Sequence, residues 1–228
     1  MRNSKCGIIN PKFSTPKFAI RNQHMAAEII TIDPAHPEIA FSRCREVLGS
    51  GGVIAYPTET FYGLGADPKN AAAVRKLFDI KGRQADQPLL LLIQDLSQVA
   101  EWAAVITPAA KKFMKQYWPG PLTLVFAARP EVLPELTAGT GKIGLRVPGS
   151  ELTRRLLRDL GIALTGTSAN RSGMKSPQTA EEAAAEIGDG ADLILDGGRT
   201  PGGMPSTVVD VSEEPPHVIR KGTLAVMI

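Results

Sequence analysis

Residues 143–170, IGLRVPGSELTRRLLRDLGIALTGTSAN, hold the pattern that decides the fold. Ile143 to Val147 is a short apolar run of the kind that makes a strand, interrupted once by Arg146. Ser150 caps a helix through Leu160, and Gly161 stops it. Ile162 to Thr165 reads as a strand again, and a polar segment, Thr167-Ser168-Ala169-Asn170-Arg171-Ser172-Gly173, follows. Strand, helix, strand and polar loop is the repeating unit of an α/β domain, where ligand loops sit at strand ends.

The same alternation extends outward from this stretch in both directions. Further strands are expected at Val53 to Tyr56, Leu89 to Ile93, Leu122 to Ala127, Leu193 to Leu195, Thr207 to Val211 and Val218 to Arg220. Asn70 starts a helix with Val74, Leu77 and Phe78 on one face, and Lys81 and Arg83 are expected just past its end. Thr107 with Pro108 opens another that runs toward Tyr117. Thr179 with Glu182 is a capping box before an alanine-rich helix ending near Gly188. No repeat or long linker divides the chain, so a single α/β domain with a mixed sheet is expected over 28–228.

Composition bounds the function class. Hydrophobic residues make up 43% and charged residues 21% of the 228, which excludes a disordered chain, and no apolar run approaches the roughly 20 residues of a spanning helix. Cys6 and Cys44 form no CxxC or Cys/His spacing, so neither a disulfide framework nor a structural zinc site is expected, and a reducing, cytoplasmic location follows. A net charge of +3 suits a protein that handles phosphates. Residues 1–27 carry Arg2, Lys5, Lys12, Lys17 and Arg21 without an acid and lack the apolar core of a secretory signal. They read as a disordered or extraneous extension, with Met25 as a native start; a mitochondrial-type presequence is the weaker reading.

Four polar, glycine-rich segments adjoin the strands: PTETFYGLG at 57–65, KGR at 81–83, TSANRSG at 167–173 and GGMPST at 202–207. None is a Walker A loop or a GxGxxG fingerprint. Lys81 and Arg83 read either as cations answering a helix dipole or as a clamp for phosphate oxygens. Ser168 and Asn170 read either as turn residues or as part of an anion-binding loop. Arg146, alone inside an apolar strand, calls for an edge or a cleft and for a carboxylate partner. Arg220 repeats that pattern. Glu59 reads as a loop hydrogen-bond partner in preference to a general base, and Trp118-Pro119-Gly120-Pro121 as a rigid turn with its indole packed on the core. His24, His36 and His217 are scattered and suggest no metal site or triad.

Taken in order, PTETFYGLG, KGR with a following PLL, WPGPLTLV, IGLRVP, TSANRSG with a following SP, ILDGG, PSTVVD and IRKGTL resemble the YrdC/Sua5 family of threonylcarbamoyl-AMP synthases, from Ile29 to Leu224. The resemblance implies the short, single-domain type, with a twisted mixed open sheet surrounded by helices around a central basic cavity. It implies that L-threonine, bicarbonate or CO2, and ATP with Mg2+ give threonylcarbamoyl-AMP and pyrophosphate. That is the first stage of N6-threonylcarbamoyladenosine formation at position 37 of tRNAs, completed by downstream tRNA threonylcarbamoyl-transfer proteins. Lys81 and Arg83 match the family's KxR element and Ser168 and Asn170 its SxN element, both serving ATP and its phosphates. Gln87, Ser176 and Arg220 match further nucleotide contacts. Thr58, Thr60, Arg146 and Ser206 match threonine-binding positions, with Arg146 suited to the carboxylate; no protein metal site and no membrane association are implied. Gln84 stands where proline is usual, Gln87 where asparagine is common, and Leu92 where many members carry histidine. Two other readings are a relative that activates a different carbamoyl substrate and a non-catalytic RNA-binding module, for which the basic tail would supply weak tRNA attraction.

Overall fold

The computed structural model describes residues 27–82 and 88–228. The expectations placed on the N-terminal extension, and those on Arg83, Gln84 and Gln87, lie outside the described residues. Within them the strands are β1 (Glu28–Thr31), β2 (Ile54–Tyr56), β3 (Gly63–Gly65), β4 (Leu90–Leu92), β5 (Leu122–Ala127), β6 (Lys142–Arg146), β7 (Leu164–Ser168), β8 (Leu193–Asp196), β9 (Thr207–Asp210) and β10 (His217–Arg220). The helices are α1 (Glu38–Gly49), α2 (Ala71–Lys81), α3 (Val99–Trp102), α4 (Pro108–Tyr117), α5 (Pro134–Thr137), α6 (Glu151–Leu160) and α7 (Ala180–Ile187). The strands form one mixed sheet in the order β1-β8-β2-β3-β7-β4-β6-β5-β9-β10.

Side-chain alternation along the strands divides the sheet into two faces. Ala55, Leu91, Leu124, Leu145, Ile194 and Val209 point to one face, where α2, α4 and α7 supply Leu77, Phe113 and Ala183 to the larger core. Ile54, Leu164, Leu193 and Leu195 point to the other, where α1 and α6 supply Phe41, Val47 and Leu157. α1 and α6 cover only that half of the face built on β1, β8, β2, β3 and β7. The rest, along β4, β6, β5 and β9, together with parts of β3 and β7, carries no covering helix among the described residues and lines a cavity.

The predicted caps form. Thr107 Oγ1 accepts from Ala110 N at 3.1 Å, Ser150 Oγ from Thr153 N at 3.2 Å, and Asn70 Oδ1 from Ala72 N and Ala73 N, both at 3.1 Å. The box at Thr179 is only half made. Thr179 Oγ1 accepts from Glu182 N, but the Glu182 carboxylate takes the N–H of Gln178, one residue before the cap. The Trp118 indole packs against the larger core as expected, with Nε1 donating to Leu122 O at 2.7 Å.

Several boundaries move by a residue or more, and two of the moves concern the site. α2 continues through Lys81, so this lysine closes the helix and is only 4% exposed; it is neither beyond the helix nor a solvated surface cation. β7 runs to Ser168, which makes Ser168 the last residue of a strand, paired with Gly63, and not part of the loop after it. The segment Gly63–Gly65, read as loop, is a strand because Tyr56 covers it: a Cβ on Gly63 or Gly65 would come within 3.1 or 2.7 Å of the Tyr56 ring. An aromatic lying over glycines on a paired strand replaces the missing side-chain contacts.

Candidate active site

The sheet face left open by α1 and α6 lines a cavity of about 990 Å³. Every described candidate residue faces it: Thr58, Thr60, Lys81, Arg146, Ser168, Asn170, Ser176, Ser206 and Arg220. Lys142 and Asp210 also line it and were missed from the sequence. Their signal was period two: Lys142 shares its face with Gly144 and Arg146, and Asp210 shares one with Val208, whereas Ile143, Leu145 and Val209 turn into the core. Gly144 and Gly166 lie on the cavity side of β6 and β7, where a Cβ on Gly166 would come within 2.6 Å of Leu90.

Lys81 and the loop after β7 make one unit. Lys81 Nζ donates to Ser168 O at 2.6 Å, Asn170 O at 2.8 Å and Asn170 Oδ1 at 3.4 Å, and the Lys81 carbonyl accepts from Ser172 N at 3.0 Å. The three oxygens converge on one ammonium, which has more than one proton to give them. Ser168 Oγ donates to Asn170 Oδ1 and Asn170 Nδ2 to Met174 O, which fixes the Asn170 side chain from both ends. KxR and SxN, far apart in sequence, are thus joined through Lys81. The lysine acts on the loop's oxygens, a role that a clamp closing directly on phosphate would not require.

Arg146 sits on β6 between β4 and β5, so the cleft, and not a sheet edge, accounts for its place in an apolar strand. Its Nη2 stands 2.9 Å from Glu59 Oε1, with the two side chains 7% and 17% exposed. The carboxylate that Arg146 calls for is therefore supplied from within the chain, and Glu59 is a partner, as its sequence context suggests. Arg220, on the edge strand β10, donates from Nε and Nη2 to Ser206 O at 3.2 and 2.9 Å and from Nη2 to Ser206 Oγ at 3.3 Å. Ser206 Oγ is 3.0 Å from Thr123 Oγ1, a further residue missed from the sequence. Burial, and then the nearby charge of Arg146, pull the Arg220 pKa below the usual arginine value. Both guanidiniums belong to the lining of the one cavity. Thr58 is committed to its own turn: its hydroxyl donates to Phe61 O at 2.7 Å and accepts from Thr60 N at 3.1 Å, which leaves Thr60 the freer of the two hydroxyls.

Asp210 Oδ2 accepts from Lys142 Nζ at 2.9 Å, and Oδ1 from Ser212 N at 2.8 Å and Ser212 Oγ at 2.6 Å. Burial works against ionisation of this carboxyl, but Ser212 and Lys142 outweigh it and hold its pKa below the usual carboxylate value. A depressed native pKa contributes stability that is present above the unfolded-state pKa and is lost as pH falls through the native one. Asp210→Asn should therefore cost about 2 kcal/mol at neutral pH. Urea unfolding in acid should find the variant and wild type converging once Asp210 is protonated.

Among the described residues no group of three His, Cys, Asp or Glu side chains is placed to hold a metal ion, and no helix is long and apolar enough to cross a membrane. The family model Sua5_yciO_yrdC, described as telomere recombination, matches residues 46–222. The threonylcarbamoyl-AMP synthase of Bacillus subtilis is 39% identical over 196 residues, which are 86% of this chain and 55% of that protein. That of Thiobacillus denitrificans is 39% identical over 165 residues, 72% of this chain and 87% of that protein. The crystal structure of P. abyssi Sua5 complexed with L-threonine matches with a TM-score of 0.82 at 36% identity, covering 86% of this chain and 58% of that one. This chain therefore spans little more than half of the Bacillus protein and of the Sua5 chain, and most of the Thiobacillus protein. With the family model over most of its length and the ordered motifs gathered on one cavity, the chain belongs to the Sua5/YciO/YrdC family.

Proposed function

We propose that this chain is an L-threonylcarbamoyladenylate synthase, a nucleotidyltransferase acting in tRNA N6-threonylcarbamoyladenosine formation. The observation that carries this reading is the convergence on one cavity of a lysine-ordered polar loop, contributed by Lys81, Ser168 and Asn170, with the guanidiniums of Arg146 and Arg220. The first group suits a polyphosphate and the second a carboxylate flanked by phosphate. The relatives named threonylcarbamoyl-AMP synthase, and the related structure complexed with L-threonine, support ATP and threonine as the ligands proposed for those two ends.

In this reading the threonine amine attacks the carbon of bicarbonate or CO2, and a water leaves with bicarbonate, or a proton passes from the amine to solvent with CO2. The resulting N-carboxylate oxygen attacks the α-phosphorus of ATP. A new P–O bond forms as the bond to the β-phosphate bridging oxygen breaks, and pyrophosphate departs with that electron pair. No covalent bond to the enzyme is needed. The protein's part is to align the two substrates, to keep water from the labile carbamate and mixed anhydride, and to answer the growing phosphate charge. Arg146 orients the threonine carboxylate, with Thr60 and Ser206 beside it. Arg220, Ser168, Asn170 and Ser176 hold the nucleotide, as do Arg83 and Gln87 from outside the described residues. Mg2+ accompanying ATP would help neutralise the charge that grows on the phosphates. The product passes to the proteins that transfer threonylcarbamoyl to tRNA.

Omitting each substrate in turn tests the reading, because pyrophosphate release should require threonine and bicarbonate together. ATP turnover that is indifferent to threonine would overturn it. The catalytic unit is proposed to be residues 28–228, so a chain lacking residues 1–25 should release pyrophosphate at an unchanged rate and differ only in low-salt RNA association. A folded but inactive truncation would place part of the N-terminal segment in the site.

A further inference from the structure

We propose that Glu59 is a positioning residue for the amino-acid end of the cavity, holding the Arg146 guanidinium in the orientation that receives a carboxylate without itself touching the substrate. This role rests on the proposed function of the cavity. Glu59 lies between Thr58 and Thr60, both of which line the cavity, while its own side chain is not part of that lining. It turns behind the wall, where Oε1 stands 2.9 Å from Arg146 Nη2 and Oε2 accepts from Ser150 N, the cap of α6, at 3.4 Å.

The contact differs from an ion pair made only for stability. A structural pair in a protein interior closes its hydrogen bonds on itself, since each buried polar atom left over costs free energy. Here Glu59 Oε1 and Arg146 Nε are both buried and neither makes a hydrogen bond, so the two groups attract by charge without aligned N–H···O geometry. Arg146 Nε is thus left buried without an acceptor, on a side chain that lines the cavity. Charge counting agrees. Arg146 and Arg220 are close enough for the charge of Arg146 to depress the Arg220 pKa, and Glu59 balances only one of them. On the far flank Lys142 and Asp210 balance each other. Among these five described side chains the balance is one positive charge, carried by the Arg146–Arg220 pair at the amino-acid end. Glu59 accordingly tethers Arg146 to the Gly149–Ser150 turn without using up its binding capacity.

A double-mutant cycle in threonine binding and kinetics tests this, with Glu59→Gln, Arg146→Gln and the double variant. Glu59→Gln should weaken threonine binding and raise its KM about tenfold, with the KM for ATP unchanged within twofold. In the Arg146→Gln background the same change should add nothing, because Glu59 acts through Arg146. Glu59→Asp, which keeps the charge on a shorter stem, should recover part of the loss and supplies the reading if the glutamine variant does not fold. Additive losses, equal rises for both substrates, or a Glu59→Gln protein with wild-type threonine affinity would each overturn the role. A wild type that binds no threonine would overturn the functional reading and this role with it.

Discussion

Lys81→Met should lose adenylate formation and stability together. Methionine keeps the length and apolar stem of lysine, so the change isolates the ammonium. Its removal leaves Ser168 O, Asn170 O and Asn170 Oδ1 without the donor that gathers them, around a residue that is only 4% exposed. Buried acceptors stripped of a charged donor cost on the order of 3 kcal/mol, visible as a lowered urea midpoint. The same loss frees the end of β7 at Ser168 and the loop that carries Asn170, and pyrophosphate release at saturating ATP should fall on the order of a hundredfold or more. Lys81→Arg should not restore it, because a planar fork cannot place its protons on three converging oxygens as a compact ammonium does. A methionine variant with near-normal rate and stability would show that the loop orders itself without Lys81.

Arg146→Ala should separate the two substrates. If Arg146 holds the threonine carboxylate, its loss should raise the threonine requirement about a hundredfold, equivalent to about 3 kcal/mol, while the ATP requirement moves only a few-fold. The variant also strands Glu59, 17% exposed, without its counter-charge, so the melting temperature should fall as well. Threonine affinity measured by calorimetry separates the effects, since KM reports binding only when chemistry is slower than dissociation. Equal losses for threonine and ATP would reassign Arg146 to the frame of the cavity.

The sequence revealed elements where local chemistry and burial coincide. The bounds of β5 follow to the residue from an alternation that sets Leu122, Leu124 and Phe126 in the core, and Thr107 with Pro108 and Ser150 with Gly161 mark α4 and α6. β3 was hidden, because Gly-Leu-Gly has little strand propensity and only Tyr56, from the neighbouring strand, makes it one. β1 is a largely exposed edge strand with a weak apolar signal. α1 begins after Pro37 with no side-chain cap to announce it, although Ala40, Phe41, Cys44, Val47 and Leu48 do carry the helical period. The candidate residues were legible as an ordered set of motifs. Their partners were not, because Lys81 meets the loop 87 to 89 positions away and Lys142 meets Asp210 68 positions away, distances over which no local pattern reports.

The most direct test of the central claim is the identity of the product. Incubation with ATP, L-threonine and isotopically labelled bicarbonate, followed by mass spectrometry before the anhydride hydrolyses, should reveal a species containing AMP, threonine and the labelled carbon. Pyrophosphate should form in equal amount. A threonine–AMP adduct without the labelled carbon, or a labelled product made without threonine, would contradict the account.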